Sequence, residues 1–216
     1  MSQNNVNYQK VLDKTIEDVC KKNIVPSLLI HSCCAPCSSY TLEYLSKYFK
    51  ITVLYYNPNI FPKQEYEYRI KEQDRLIKSM DFDNPVEFIA TDYTPEDFYS
   101  QVKGLENEKE GGKRCEVCFR LRLEKTAKIA QERGFDYFVT TLSISPMKNS
   151  ALLNEIGKEL EEQYKVKYLL SDFKKRNGYK RSVELSKLYD LYRQDYCGCV
   201  YSKVERDNQV KELGCK

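Results

Sequence analysis

The chain has 216 residues, with 35 Lys and Arg against 32 Asp and Glu, nine Cys, one His and no Trp. That length suits one domain with a sizeable core, and 41% hydrophobic content beside 31% charged residues excludes wholesale disorder. No apolar run reaches membrane-spanning length, the opening MSQNNVNYQKVLDK lacks a signal-peptide pattern, and a net charge of +3 cannot by itself argue for nucleic acid. A cytoplasmic protein is expected.

The spacing of apolar residues predicts an amphipathic helix over 8–22, with Tyr8, Val11, Leu12, Ile16, Val19 and Cys20 on one stripe. A short strand, Ser27–His31, runs into a first group of cysteines. Pro36 and Ser38 open a helical pattern through Phe49, since Pro is tolerated in a first turn. A strand at Ile51–Tyr56, a helix over 63–79 and a strand at Val86–Ala90 follow. The charged, Gly-rich stretch 104–113 reads as a loop that leads to a long helix stopping at Gly134, a C-cap. Beyond it come a strand at Tyr137–Leu142, a helix at Asn149–Tyr164, a strand at Val166–Leu170 and a helix over 182–193. Strands alternating with helices predict an α/β fold with a parallel sheet. Residues 1–26 are expected to be a helical extension, 27–202 a single α/β catalytic domain and 203–216 a tail.

The cysteines carry the chemistry. Seven of the nine fall in three tight groups, Cys33-Cys34-x-x-Cys37, Cys115-x-x-Cys118 and Cys197-x-Cys199. An odd number in a cytosolic chain argues against a disulfide framework, and soft ligands without His partners favour zinc or iron–sulfur chemistry. Cys20 and Cys215 read as buried thiols acting as small hydrophobes. Cys33 and Cys34 end a strand, and Cys115 and Cys118 begin a helix, where the dipole favours thiolates. The adjacent Cys-Cys pair is awkward for one tetrahedral zinc and easier for a cuboidal cluster. Cys197-Gly198-Cys199 reads as a redox-active disulfide or as ligands of a second metal with Cys37.

The other motifs are weaker. His31 is the sole histidine and reads as a hydrogen-bonded core residue, so His-rich hydrolase sites are excluded. No phosphate-cradling loop is present, which argues against an ATP-dependent tRNA-thiolating enzyme. The run Lys174–Arg181 carries five positive charges and no acid, with Tyr179 and Asn177 interleaved, a composition suited to single-stranded RNA or to a solvated loop. A zinc-stabilised RNA-binding module remains the alternative to a redox enzyme.

Five motifs in order, His31-Ser-Cys33-Cys34-Ala-Pro-Cys37, Arg114-Cys115-x-x-Cys118, Thr140-Thr-Leu-Ser-x-Ser-Pro146-x-Lys148-Asn149, Asp172-Phe-Lys-Lys-Arg176 and Tyr192-Arg-Gln-Asp-Tyr-Cys197-Gly-Cys199, resemble the cobalamin-independent epoxyqueuosine reductases (QueH). The resemblance runs from about Leu28 to Ser202. It implies an oxidoreductase of queuosine biosynthesis that reduces the epoxide of epoxyqueuosine at the tRNA wobble position to an alkene. It also implies a Rossmann-like sheet of the adenine-nucleotide alpha-hydrolase (HUP) type, with the site at the strand ends. By position, Cys33, Cys34, Cys115 and Cys118 would hold a [4Fe–4S] cluster. Cys197 and Cys199, with Cys37, would hold an adjacent mononuclear iron or form a dithiol; some relatives carry Asp at the position of Cys37. Asp195, Tyr196 and Asp92 are the candidate proton donors. Lys148, Asn149, Lys175, Arg176, Tyr179 and Arg181 are the candidate contacts to a tRNA with a GUN anticodon. A separate electron donor is implied, and no membrane.

Overall fold

The computed structural model describes residues 6–214. Its elements in chain order are α1 (Tyr8–Lys21), β1 (Ser27–His31), α2 (Ala35–Leu45), β2 (Lys50–Tyr55), α3 (Lys63–Ser79), β3 (Val86–Ala90), α4 (Pro95–Gln101) and α5 (Lys113–Arg133). There follow β4 (Tyr137–Thr140), a 3-10 turn (Thr141–Ile144), α6 (Ser150–Tyr164), β5 (Lys167–Tyr168), α7 (Gly178–Leu188) and α8 (Val200–Gly214). The five strands form one parallel sheet in the order β3-β2-β1-β4-β5. This is the expected Rossmann-like α/β architecture, a parallel sheet with helices between its strands. No helix among the described residues is long and apolar enough to cross a membrane.

The central strand explains where the chemistry collects. β1 pairs with β2 on one side and β4 on the other, so the connections leaving β1 and β4 diverge at their carboxyl ends. Such a switch point opens a crevice, because neighbouring connections run to opposite faces of the sheet. Leu28, Leu29 and Ile30 of β1 are fully buried, as expected of a strand covered on both faces. α1 adds Leu12, Ile16 and Val19 to the same core.

Several boundaries move for visible reasons. The predicted Tyr137–Leu142 strand stops at Thr140, whose side chain accepts from the Leu142 N–H and turns the chain into the 3-10 segment. The helix predicted over 182–193 starts four residues earlier and stops at Leu188. Asn177, at φ 62°, turns the chain into α7, and Arg75 donates to the carbonyls of Tyr189 and Asp190 at its end. Cys20 is exposed, contrary to the buried thiol expected; the buried stripe of α1 passes through Leu12, Ile16 and Val19 and leaves Cys20 on the solvent side. Cys215 lies outside the described residues. α4 and α8 had no counterpart in the sequence pattern, and α8 occupies most of the stretch read as a tail.

Gly157 gives a stability prediction. A Cβ built there would sit 2.4 Å from the buried Tyr168 ring. In an exposed helix, Gly→Ala stabilises by roughly 0.5–1 kcal/mol. Here the ring must move, so Gly157→Ala is expected to destabilise by about 1–3 kcal/mol, seen as a lower denaturant midpoint.

Candidate metal centre and substrate cleft

Three helix N-termini deliver the thiols. β1 ends at His31, and Cys34, with extended backbone at φ −168°, is the N-cap of α2, which places Cys37 in its first turn. The crossover is pinned by polar contacts: Asn57 donates to the Ser32 carbonyl at 2.8 Å, and the hydroxyls of Ser32 and Ser38 both donate to Gln73 Oε1. Cys115 and Cys118 lie one turn apart at the start of α5, and the Gly111 N–H points at the Cys115 sulfur at 3.2 Å. Cys199 immediately precedes α8, and its sulfur accepts from the Ser202 N–H at 3.4 Å. Free N–H groups and the helix dipole favour anionic sulfur at all three ends.

The sulfurs form two sets. Those of Cys33, Cys34 and Cys37 lie within 4.8 Å of one another, and this is the one such metal-competent group among the described residues. Thiols of Cys33 and Cys37 donate toward Cys34 and push it well below the ordinary thiol range, while the same sharing drives Cys37 well above it. Metal–thiolate bonds of about 2.3 Å at tetrahedral angles put sulfurs roughly 3.8 Å apart, and Cys33 and Cys34 are separated by 3.8 Å. The triad can therefore hold a metal ion. Cys115, Cys118, Cys197 and Cys199 line a narrow cavity beneath, where burial pushes Cys118 up to about 12.

Gly198 makes the Cys197-Gly198-Cys199 turn possible. Its φ of 128° is disfavoured for any side chain, and a Cβ would press on Arg69 and Ile60. The turn docks through backbone and ring contacts: the Phe61 N–H donates to the Gly198 carbonyl, Arg69 reaches the Cys197 carbonyl, and the Tyr196 hydroxyl donates to the Phe61 carbonyl at 2.8 Å. All described cysteines are free thiols.

A cleft of about 1060 Å³ opens above the sulfurs, lined by Cys33, Cys37 and Cys197 and by residues of the 142–148 segment, α7 and α8. Lys148, on the segment leaving β4, is buried there, with Nζ 2.7 Å from Glu110 and 3.1 Å from the Cys197 sulfur. Burial alone would lower its pKa, but Cys197 and Glu110 hold the ammonium above its ordinary value. His31 is fully buried, and desolvation with Arg122 nearby lowers it to about 4. It bridges the Thr140 hydroxyl and the oxygens of Tyr56 and Asn57, a core role as expected.

The chain matches the family model described as Epoxyqueuosine reductase QueH over residues 28–205. It is 50% identical over 199 residues to the Epoxyqueuosine reductase QueH of Streptococcus pyogenes serotype M1, covering 91% of this chain and 78% of that one. The chain belongs to this family. The protein of that name from Staphylococcus epidermidis is 45% identical, with 99% of this chain and 91% of that one aligned. The one from Thermotoga maritima is 39% identical, with 88% and 97% aligned.

The other predicted residues are distributed unevenly. Asp195 lines the cleft, exposed, with Arg206 at 3.2 Å. Tyr196 also lines it, but burial, with Glu65 beside it, pushes its phenol up to about 12, and its proton is committed to Phe61. Asp92 lines neither cavity. Asn149 spends its side-chain carbonyl on capping α6. The basic run is less bare than its sequence suggests: Lys174 pairs with Asp172, Arg176 with Asp13 at 2.5 Å, and Arg181 with Glu43 at 2.6 Å. Lys175 and Lys180 are exposed, and Tyr179, 40% exposed, stands at the cleft wall.

Sequence reasoning overlooked the buried arginines. Arg69, Arg114 and Arg122 are each about 1% exposed. Arg114 ties the 105–108 loop to α8, donating to the carbonyls of Leu105, Glu106 and Glu108 and pairing with Glu205. Arg122 follows Cys115 by seven residues and Cys118 by four, the spacing of one helix face, which is the signal that identifies it. Burial opposes its charge, yet Cys118, Cys197, Cys33 and Cys115 raise it above its ordinary value.

Proposed function

We propose that this chain reduces the epoxide of epoxyqueuosine to the alkene at the wobble position of tRNA, in the cytoplasm, using an iron–sulfur centre held by its clustered thiols. The observation that carries this reading is the convergence of seven cysteines at three helix N-termini around buried guanidinium groups, one of them without a carboxylate partner among the described residues. An anionic thiolate-bound centre is what such a setting is built to neutralise, because buried charges persist only when paired. Within this reading Cys33, Cys34, Cys115 and Cys118 hold a [4Fe–4S] cluster, and Cys197 and Cys199, with Cys37, hold a neighbouring iron or act as a dithiol. Bound there, these groups supply single electrons and Lewis acidity toward the epoxide oxygen.

The chain supplies the rest. The overall change consumes two electrons and two protons and releases water, so the cleft must deliver protons as well as electrons. Asp195 is placed for that, open to solvent at the cleft wall, whereas Tyr196 anchors the turn. Lys148 fixes the Cys197 sulfur and carries a proton at Nζ beside it. The wobble base lies in a single-stranded loop that can be splayed out and stacked on Tyr179. Lys175 and Lys180, which form no ion pair among the described residues, contact phosphate. The domain limits proposed from the sequence, 1–26 as a helical extension, 27–202 as the catalytic domain and 203–216 as a tail, assign all of these groups to one unit.

Anaerobic purification tests the reading. The expected protein is coloured, contains iron and sulfide, and converts epoxyqueuosine in tRNA to queuosine with a low-potential donor. A colourless zinc protein that binds tRNA and forms no alkene would establish the RNA-binding alternative instead. In the same assay Lys175→Ala/Lys180→Ala should weaken tRNA binding and shallow its log–log salt slope by roughly 0.7–0.9 for each phosphate pairing removed, with the visible spectrum unchanged. An unaltered slope would return the run to a solvated surface.

A further inference from the structure

Three arginines are fully buried, and two of them have an obvious partner. Arg69 Nε lies 2.8 Å from Glu65, and Arg114 Nη2 lies 3.2 Å from Glu205. Arg122 has none. Its Nε donates to the Cys118 carbonyl at 3.0 Å within its own helix, its Nη2 is buried without a hydrogen-bond partner, and it forms no salt bridge among the described residues. A guanidinium cannot shed its proton, so it must find an anion or bear the full cost of desolvation. The anionic groups that act on it are sulfurs, those of Cys118, Cys197, Cys33 and Cys115; the one carboxylate that lines both cavities with it, Glu110, is paired with Lys148. Arg122 lines the open cleft together with Cys33 and Cys37, and it also lines the narrow cavity together with Cys115, Cys118 and Cys199. It therefore stands between the two thiol sets, with Cys197 common to both spaces.

Resting on the iron–sulfur reading above, we infer that Arg122 is the built-in counter-charge of the redox centre, coupling the two thiol sets and holding its reduction potential up. Arg122 is a positioning residue; it bonds the Cys118 carbonyl, lines both cavities beside the thiols and need not touch substrate. The step it governs is one-electron reduction of the cluster by a low-potential donor. That step adds one negative charge to an already anionic centre and neither makes nor breaks a bond. A fixed cation nearby in a low-dielectric interior stabilises the more negative, reduced form more than the oxidised form. Losing the cation must shift the equilibrium toward the oxidised cluster.

Arg122→Gln removes the charge and keeps a donor for the Cys118 carbonyl; Arg122→Lys keeps the charge. Potentiometric titration of the loaded proteins, followed by electron paramagnetic resonance, reads the effect directly. At a fixed solution potential the reduced-to-oxidised ratio should fall at least tenfold in Arg122→Gln, a downward shift of at least about 59 mV for one electron. Arg122→Lys should stay within about threefold of wild type. A purely packing role would lower thermal stability in both variants and leave the potential of the loaded fraction unmoved; that result overturns the inference. If Arg122→Gln folds, by circular dichroism, but takes up no iron or sulfide, the charge requirement is read from loading. Full loading of Arg122→Lys then supports it, and failure of both variants overturns it. Wild-type protein without iron and sulfide overturns this inference together with the reading beneath it, whereas an active wild type with an unshifted Arg122→Gln potential overturns this inference alone.

Discussion

Serine at Cys115 is expected to strip iron and sulfide from the protein as completely as serine at Cys34, although the two sulfurs belong to different sets. Geometry alone would suggest otherwise, since only Cys33, Cys34 and Cys37 lie within 4.8 Å of one another. A single ion confined to that triad would be lost in Cys37→Ser and retained in Cys115→Ser. A cluster spanning the strand end of β1 and the first turn of α5 behaves in the opposite way. Cys33→Ser, Cys34→Ser, Cys115→Ser and Cys118→Ser then each abolish loading, while Cys37→Ser keeps the visible spectrum. Even outer partners of a metal cost about 10–100-fold when removed, so loss of a direct ligand should lower alkene formation by at least about a hundredfold. Cys20→Ser, on the solvent face of α1, should change neither quantity. Iron and sulfide content of these variants decides between the two arrangements, and full loading in Cys115→Ser would sink the four-cysteine assignment.

What was legible in the sequence follows from how local each signal is. β1, α3 and β3 keep their predicted bounds because apolar runs and helical periodicity are properties of the segment itself. α7 was misplaced because its start depends on Asn177 in the left-handed region and its end on carbonyls satisfied by Arg75, which is 114 residues away in sequence from Tyr189. The same distinction holds at the site. Cysteine spacing shows the ligand candidates, but no spacing announces that Asp13 from α1 and Glu43 from α2 neutralise Arg176 and Arg181. With Lys174 paired to Asp172, those pairings remove three of the five charges from any phosphate contact and leave Lys175 and Lys180. Glu110, inside a stretch that reads as mobile loop, is instead held by Lys148, while Arg114 fastens the residues before it. The spacing of Arg122 from Cys115 and Cys118 puts it on their helix face in the sequence, but its burial shows only in the fold, because an arginine on a polar helix is ordinarily taken for surface.

Removing both sulfurs of the Cys197-x-Cys199 turn should leave the cluster in place and stop the reaction. The argument rests on how the turn is held. Its docking runs through the Gly198 and Cys197 carbonyls and the Tyr196 hydroxyl, none of which Cys197→Ala/Cys199→Ala deletes. Lys148 keeps Glu110 as a partner when the Cys197 sulfur goes. What the double variant gives up is the cap that Cys199 provides to the Ser202 N–H, which at ordinary N-caps is worth roughly 0.5–2 kcal/mol. For a chain of this size, a loss near 1 kcal/mol lowers Tm by about 2–4 °C. The fold and the visible spectrum should therefore survive. Turnover should fall at least about a hundredfold, because Cys197 lines the cleft with Cys199 two residues on in the narrow cavity, and this pair would meet the epoxide through a second iron or a dithiol. Metal analysis separates those two roles. If the pair binds iron, wild type carries more iron than sulfide and the double variant brings them level. If it acts as a dithiol, iron and sulfide already match in wild type, and thiol trapping during turnover captures a reversible disulfide. Full alkene formation by the double variant would exclude both, and would leave Cys197 as no more than the sulfur that orders Lys148.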